Sequence, residues 1–466
     1  MTLIKSISGI RGTIGGKVGS NLTPPDIVAF SAAYGQWALQ QGHSNTILIG
    51  RDARISGDIV SSLVSSTLRS LGINVIDLGL STTPTVEMAV ATRKAAGGII
   101  LTASHNPIEW NALKFLNHLG EFISQEAGQE ILDIAGKQNQ NYKDTLNLGT
   151  YTQDFAAIHQ HLAAILALPM IDLPAIRDRK FHIVVDCINS TGSISVAPLL
   201  DLLGCTYELI FDDLSGHFAH NPEPLEAHLT ELSDRVKSQK ADLGISVDPD
   251  VDRLAFVMED GKMFGEEYTI VAIADFLLTQ FPSANTVSNL SSTRALRDIT
   301  LKHGGRHFAS AVGEVHVVKK MKEVHALVGG EGNGGVIFPT LHNGRDALVG
   351  IALFLSHLAQ FKGSISQLKA IYPAYFMVKE KMTLEEDVSL SSLFEFIESK
   401  YPSAQINTED GLKIDLPKGW VHVRSSNTEP IIRIYTEANT HEYAQQLASD
   451  LKSQVAEFLQ NIEIVQ

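Results

Sequence analysis

Cysteine is nearly absent: Cys187 and Cys205 are the only two in 466 residues. Both lie in apolar, strand-like runs, and no Cys-x-x-Cys spacing occurs. This excludes a disulfide framework and a thiolate metal site, so the pair reads as packed thiols in a reducing compartment. Long apolar runs are missing too. No stretch reaches the ~20 residues that a membrane-spanning helix needs. The opening residues, Met1 to Lys5, lack the apolar region and cleavage site of a secretory leader. Basic charge is in deficit, with 37 Lys and Arg against 52 Asp and Glu, a formal net charge of −15. That balance argues against nucleic acid and anionic membranes as partners. A small anionic substrate stays open, because a cleft can be locally basic. The expectation is a soluble cytoplasmic protein.

What is present is a globular composition, 44% hydrophobic, at a length that suits about three domains. One unit recurs. Thr46 to Gly50 reads as a strand, followed by the loop Arg51 to Gly57, a helix-period run ending at Gly72, and a strand from Ile73. His182 to Asp186 opens a second copy, whose helix ends at Gly204 before the strand Cys205 to Ile210. Asn285 to Asn289 opens a third, whose helix ends at Gly304-Gly305 before Arg306 to Ala309. Strand, loop, helix, helix-ending glycine and strand make a βαβ unit. Three copies predict three doubly wound α/β domains, over 1–150, 151–255 and 256–370. After Pro373 the pattern changes to strands near Lys379, Trp420 and Ile431, with helical spacing at Leu390–Ser399 and Glu442–Leu459. That predicts a C-terminal α+β domain over 371–466.

Five loops carry chemistry. Thr102-Ala103-Ser104-His105-Asn106-Pro107 follows the apolar run Ala95–Leu101. Ser104 is expected on a tight loop at the carboxyl end of a buried parallel strand, where open α/β sheets place ligands. Pro107 suits the first turn of a helix. A serine beside His105 is a candidate phosphoryl or acyl acceptor; the plainer reading is a helix cap beside a surface histidine. Ser8-Gly9-Ile10-Arg11-Gly12-Thr13 places Arg11 between glycines that let a phosphate approach. Lys114 can act as a positioned acid or base if its pKa is lowered. Asp248-Pro249-Asp250-Val251-Asp252-Arg253 sets three carboxylates within five residues. They repel one another unless a cation joins them, and oxygen ligands suit a hard ion such as Mg²⁺. With Glu259 they also outline a calcium-binding EF-hand, but Arg253 replaces the turn glycine and the flanks read as strands where helices are needed. Gly329–Gly335 is glycine-rich, with Glu331 and Asn333 able to bond hydroxyls, and it lacks the Gly-Lys-Ser/Thr of a P-loop. Arg424-Ser425-Ser426-Asn427-Thr428-Glu429-Pro430, with Arg433 beyond, offers guanidinium, hydroxyls and backbone N–H groups for a phosphate.

Together these loops resemble the α-D-phosphohexomutase family of phosphoglucomutases, phosphomannomutases and phosphoglucosamine mutases. Four signatures stand in family order over essentially the whole chain. Thr102–Pro107 is similar to the phosphoserine loop, Asp248–Arg253 to the metal loop, Gly330–Gly335 to the sugar loop and Arg424–Pro430 to the phosphate loop. The resemblance implies four domains around a central cleft and a sugar-phosphate substrate. It implies a phosphorylated Ser104, with Mg²⁺ held by that phosphate and by Asp248, Asp250 and Asp252. Arg11, His105, Lys114 and Arg253 then surround the moving phosphoryl group. Glu331 and Asn333 bind sugar, and Arg424, Ser426, Asn427, Thr428 and Arg433 hold the other phosphate. A hexose or hexosamine 1,6-bisphosphate is the intermediate and activator, in a monomer or homodimer. Phosphoglucosamine mutase is the first substrate reading and phosphomannomutase/phosphoglucomutase the second. A simple phosphatase, or a non-catalytic sugar-phosphate- or calcium-binding protein, is the rival class. One departure is plain: the family's sugar loop often ends in histidine, and Gly335 stands there, with His342 as the candidate replacement.

Overall fold

The computed structural model describes residues 2–6, 9–137, 140–383, 388–425 and 431–463. It divides into two compact units, Met1–Leu277 with Asn333–Lys369, and Leu278–Gly332 with Ala370–Gln466.

The first unit holds two sheets. The larger has seven strands, in the spatial order Ile4–Ser6, Gly9–Thr13, Trp110–Leu116, Gly97–Leu101, Thr46–Arg51, Asn74–Leu80 and Tyr151–Gln153. Its last strand lies beyond the domain boundary expected at residue 150. The middle strands are parallel, as the βαβ pattern predicts, and Trp110–Leu116 runs antiparallel to Gly97–Leu101. Alternate residues of Thr46–Arg51 serve opposite cores. Ile47 and Ile49 pack with Val60, Val64 and Leu68 of the helix Gly57–Ser70. Leu48 packs with Val86, Ala89 and Val90 of the helix Thr83–Thr92. Two successive helices thus leave the sheet on opposite faces. Such a reversal opens a crevice outside the carboxyl ends of the strands.

The second sheet runs Leu254–Met258, Leu243–Val247, His182–Asp186 and Thr206–Ile210. Leu243–Val247 is parallel to His182–Asp186 and antiparallel to Leu254–Met258. The acidic loop is therefore flanked by strands, which removes the EF-hand geometry. Glu259 lies elsewhere, accepting bonds from Ser366.

In the second unit, His307–Ser310, Thr286–Asn289 and Val328–Glu331 are parallel neighbours. A separate antiparallel sheet follows, in the order Phe376–Thr383, Ile431–Ala438, Gly419–Ser425, Leu412–Leu416 and Gln405–Asn407. Helices Leu390–Ser399 and His441–Glu463 cover it through Leu393, Ile397, Leu447, Leu451 and Val455. This is the C-terminal α+β module expected from the sequence. Among the described residues no helix is long and apolar enough to cross a membrane.

Candidate active site

Ser104 follows the buried strand Gly97–Leu101 with its backbone at φ +49°. A left-handed serine costs energy unless neighbours fix it. Here they do. Ser104 N–H donates to Thr102 Oγ1 at 2.9 Å, and Thr102 Oγ1 donates to Asp52 Oδ2 at 2.6 Å. Arg54, 1% exposed, sits against Asp52 at 3.1 Å and donates to the carbonyls of Ser104, Asn106, Pro107 and Trp110 at 2.5–2.8 Å. Five acceptors on one buried guanidinium make the loop a rigid platform. The helix expected at Pro107 does not form. A side chain uses the carbonyls a first helical turn would need, and the chain continues into the strand Trp110–Leu116.

The aspartate loop is equally fixed. Val251, β-branched and buried, lies at φ +61°, a conformation such residues rarely adopt. Asp248 Oδ1 accepts from the N–H groups of Asp252 and Arg253, both at 3.1 Å. Asp248 Oδ2 accepts the Ser104 hydroxyl at 2.7 Å, so the two loops, 144 residues apart in sequence, meet directly.

The carboxylate oxygens divide their work. Asp250 Oδ2 accepts from Thr83 Oγ1 at 2.6 Å and from Lys114 Nζ at 2.8 Å. Asp252 Oδ2 accepts from Arg345 Nη2 at 2.7 Å. Among the described residues, Asp250 Oδ1 and Asp252 Oδ1 are buried without any hydrogen-bond partner. Orphaned anionic oxygens are costly unless something binds them. One ligand atom from each aspartate lies within 4.8 Å of the others. Burial, followed by Asp252 and Asp250, pushes the Asp248 carboxyl well above the usual range. Burial also acts to raise Asp250, but Lys114, with the Thr83 and Asp248 bonds, outweighs it and holds that carboxyl below the usual range. Oxygen donors, anchored on one side and free on the other, fit a hard divalent cation.

The remaining residues expected around Ser104 occupy this unit as well. Arg11 lies on the strand Gly9–Thr13, opposite Ala112, and Lys114 lies on the strand paired with it. Burial and then Arg253 lower the Arg11 pKa. Arg253 donates to Glu223 at 3.2 Å. His105 Nδ1 is 3.4 Å from Ser104 Oγ. Burial, then Arg253, Arg11 and Arg345, hold that imidazole well below its ordinary pKa, so it is neutral near pH 7. Lys114 differs from the expectation of a lowered pKa. Burial lowers it, but Asp250 and Asp252 outweigh burial and the net shift is upward. It is a fixed cation in this arrangement, not a base.

Glu331 ends the strand Val328–Glu331 and accepts from Asn289 at 2.9 Å and Gly313 N–H at 3.0 Å. Asn333 Oδ1 accepts from Gly335 N–H at 3.3 Å. His342 is not beside Gly335's vacant side-chain position. It lies 3.3 Å from Asp346 and 3.4 Å from Glu87. Arg345 fills that position instead: a Cβ at 335 would fall 2.3 Å from Arg345 Cδ. In the second unit, Arg424 and Arg433 stand directly opposite each other in an antiparallel pair. Like charges so placed repel, and among the described residues Arg424 Nε is buried without a partner; both features suit an anion. Ser426, Asn427 and Thr428 lie outside the described residues.

Sequence reasoning missed Asp52, Arg54, Thr83 and Arg345. Asp52 and Arg54 stood in a loop noted only as part of the repeat, and nothing local links any of the four to Ser104 or Asp250.

Comparison with known proteins gives a consistent result. Family models described as phosphoglucomutase/phosphomannomutase, alpha/beta/alpha domains I, II and III, match residues 3–142, 159–261 and 265–375. The C-terminal-domain model of the same description matches residues 375–454. A phosphoglucomutase/phosphomannomutase of Thermococcus kodakarensis is 33% identical over 94% of this chain and 95% of its own. A probable phosphoglucosamine mutase of Methanopyrus kandleri is 32% identical over 95% of each. The crystal structure of a phosphoglucomutase/phosphomannomutase family protein from Burkholderia thailandensis, 25% identical, covers 97% of this chain and 96% of its own at a TM-score of 0.85.

Proposed function

The chain belongs to the phosphoglucomutase/phosphomannomutase family, and from that membership we propose that it interconverts sugar 6-phosphates and sugar 1-phosphates. It is an isomerase, an intramolecular phosphotransferase. The observation that carries the reading is the 2.7 Å contact between the Ser104 hydroxyl and Asp248, which joins a nucleophile to a cation-ready triad.

In this reading Ser104 carries the phosphoryl group between turnovers. Phosphate monoesters hydrolyse extremely slowly without catalysis, so a stored group persists in water. The sugar's free hydroxyl oxygen forms a bond to phosphorus while the bond from phosphorus to Ser104 Oγ breaks. The hydroxyl loses its proton, and Ser104 Oγ gains one. His105, neutral and next to Oγ, can hold and pass that proton. The resulting 1,6-bisphosphate turns round, and its other phosphate returns to Ser104 by the same step reversed. Arg11, Arg253 and Lys114 are assigned to stabilise the equatorial oxygens with positive charge. Asp248, Asp250, Asp252 and the Ser104 side chain would hold Mg²⁺, which adds charge neutralisation to that set. Glu331 and Asn333 are assigned to the sugar, and Arg424, Ser426, Asn427, Thr428 and Arg433 to the phosphate that does not react. A trace of bisphosphate activates the enzyme by charging Ser104.

Glucosamine phosphate is the first proposed substrate, because the Gly330–Gly335 variant is most similar to mutases of that sugar. Mannose and glucose phosphates are the second reading, since the Thermococcus relative carries the phosphoglucomutase/phosphomannomutase name. The two buried, unpaired cysteines favour the cytoplasm. To test the reading, purified protein is incubated with Mg²⁺, a trace of bisphosphate, and glucosamine 6-phosphate, glucose 1-phosphate or mannose 1-phosphate. Isomerisation of at least one is expected. Failure with all three rejects the reading, and release of inorganic phosphate in place of isomer indicates a phosphatase.

A further inference from the structure

Position 335 and position 345 are structurally matched. Gly335 opens the strand Gly335–Ile337, and Arg345 returns antiparallel beside Ile337. The Arg345 stem then runs through the space that a side chain at 335 would occupy; a Cβ there would lie 2.3 Å from Cδ and 3.0 Å from Cγ. The turn that presents Arg345 is also held. Gly344 packs so closely on Glu87 that a Cβ would fall 1.8 Å from its carboxylate. Asp346, the next residue, caps the helix Ala347–Phe361 through the N–H groups of Leu348 and Val349 and bonds His161 at 2.9 Å. Arg345, 9% exposed, therefore reaches Asp252 with little freedom.

The charges follow from this geometry. Lys114 meets Asp250 and Arg345 meets Asp252, whereas Asp248 accepts only from a hydroxyl and two backbone N–H groups. Two of three negative charges are thus answered by fixed cations. A divalent ion turns the single negative charge left into an excess of one positive charge, which a dianionic phosphoryl group on Ser104 more than cancels.

We propose that Arg345 is a positioning residue that anchors Asp252 through Oδ2 and makes retention of the divalent cation depend on the phosphoryl group of Ser104, with Gly335 providing the room for its stem. This rests on the phosphoserine reading above. The test is calorimetric titration of the full-length protein with Mn²⁺, in the bisphosphate-charged form and in the form discharged by excess sugar monophosphate, each checked by mass. Wild-type protein should bind Mn²⁺ at least about tenfold more tightly when charged, the direction set by the negative charge added at short range. Arg345→Met should tighten binding to the discharged form about tenfold and shrink the charged-to-discharged ratio. It should also lower kcat with KM unchanged. Arg345→Lys, which keeps the charge, should restore the ratio, and Gly335→Ala, which displaces the stem, should mimic Arg345→Met. Weaker or unchanged binding to the discharged form of Arg345→Met overturns the proposal, and so does a kcat unaffected by that variant. If Ser104 never takes up phosphate, the functional reading fails, yet the discharged-form comparison still judges Arg345.

Discussion

At Ser104 and its neighbours the polar side chains have named partners, and that makes single substitutions informative. Lys114 Nζ lies 2.8 Å from Asp250, a carboxylate with no exposure at all. Lys114→Met leaves that charge buried with only Thr83 as a donor to its side chain. Breaking a buried pair by removing one partner costs ~3 kcal/mol or more. Chemical denaturation without divalent ions should show a loss of that order, and added Mg²⁺ should recover part of it. An unchanged midpoint without metal would mean that Lys114 contributes no compensating charge. Residue chemistry was legible in the sequence wherever it was local. Three aspartates in five positions declare mutual repulsion, and a serine after an apolar strand marks a candidate acceptor, told from a helix cap only by the other loops. Arg54, Thr83 and Arg345 declared nothing, because their partners lie 50, 167 and 93 residues away.

Strands and helices were legible for a different reason: period. The unit Thr46–Arg51, Gly57–Ser70 and Asn74–Leu80 appears where alternation and helical spacing put it. Pro107 misled, since a turn proline reads the same before a helix and before an antiparallel strand, and the choice was made by Arg54. One element pair also predicts a pH response. His342 lies in the connection that leads into the helix Ala347–Phe361. Burial lowers its pKa, but bonds to Asp346 and Glu87 outweigh burial and raise it to about 10. A proton held more tightly in the folded state stabilises fully below the unfolded pKa, near 6.5, and that contribution is lost as pH rises toward 10. Between those values the stability attributable to His342 should fall with a limiting slope of about 1.4 kcal/mol per pH unit. His342→Gln should flatten the dependence. Parallel slopes for wild type and variant, from denaturation at pH 7, 8 and 9, would show that His342 is not the source.

For the molecule as a whole, the four-module architecture was readable because each module repeats or abandons the βαβ pattern within its own stretch. The contact between two distant loops was not readable from period or composition; it came from the order of the loop signatures, and the structure supplies the atoms. The excess of acid over base, −15 in total, coexists with Arg11, Arg253 and Arg345 acting on His105 beside Ser104, and with Lys114 on Asp250, so an acidic protein still offers fixed cations at this loop. The most direct measurement is the mass of the peptide carrying Ser104, before and after exposure to glucose 1,6-bisphosphate, and again after a sugar monophosphate. The account predicts gain of one phosphoryl group on Ser104, its loss to the monophosphate with equivalent formation of bisphosphate, and neither event in Ser104→Ala. Full isomerase activity in Ser104→Ala, or a phosphoryl group that appears on another residue, would contradict it.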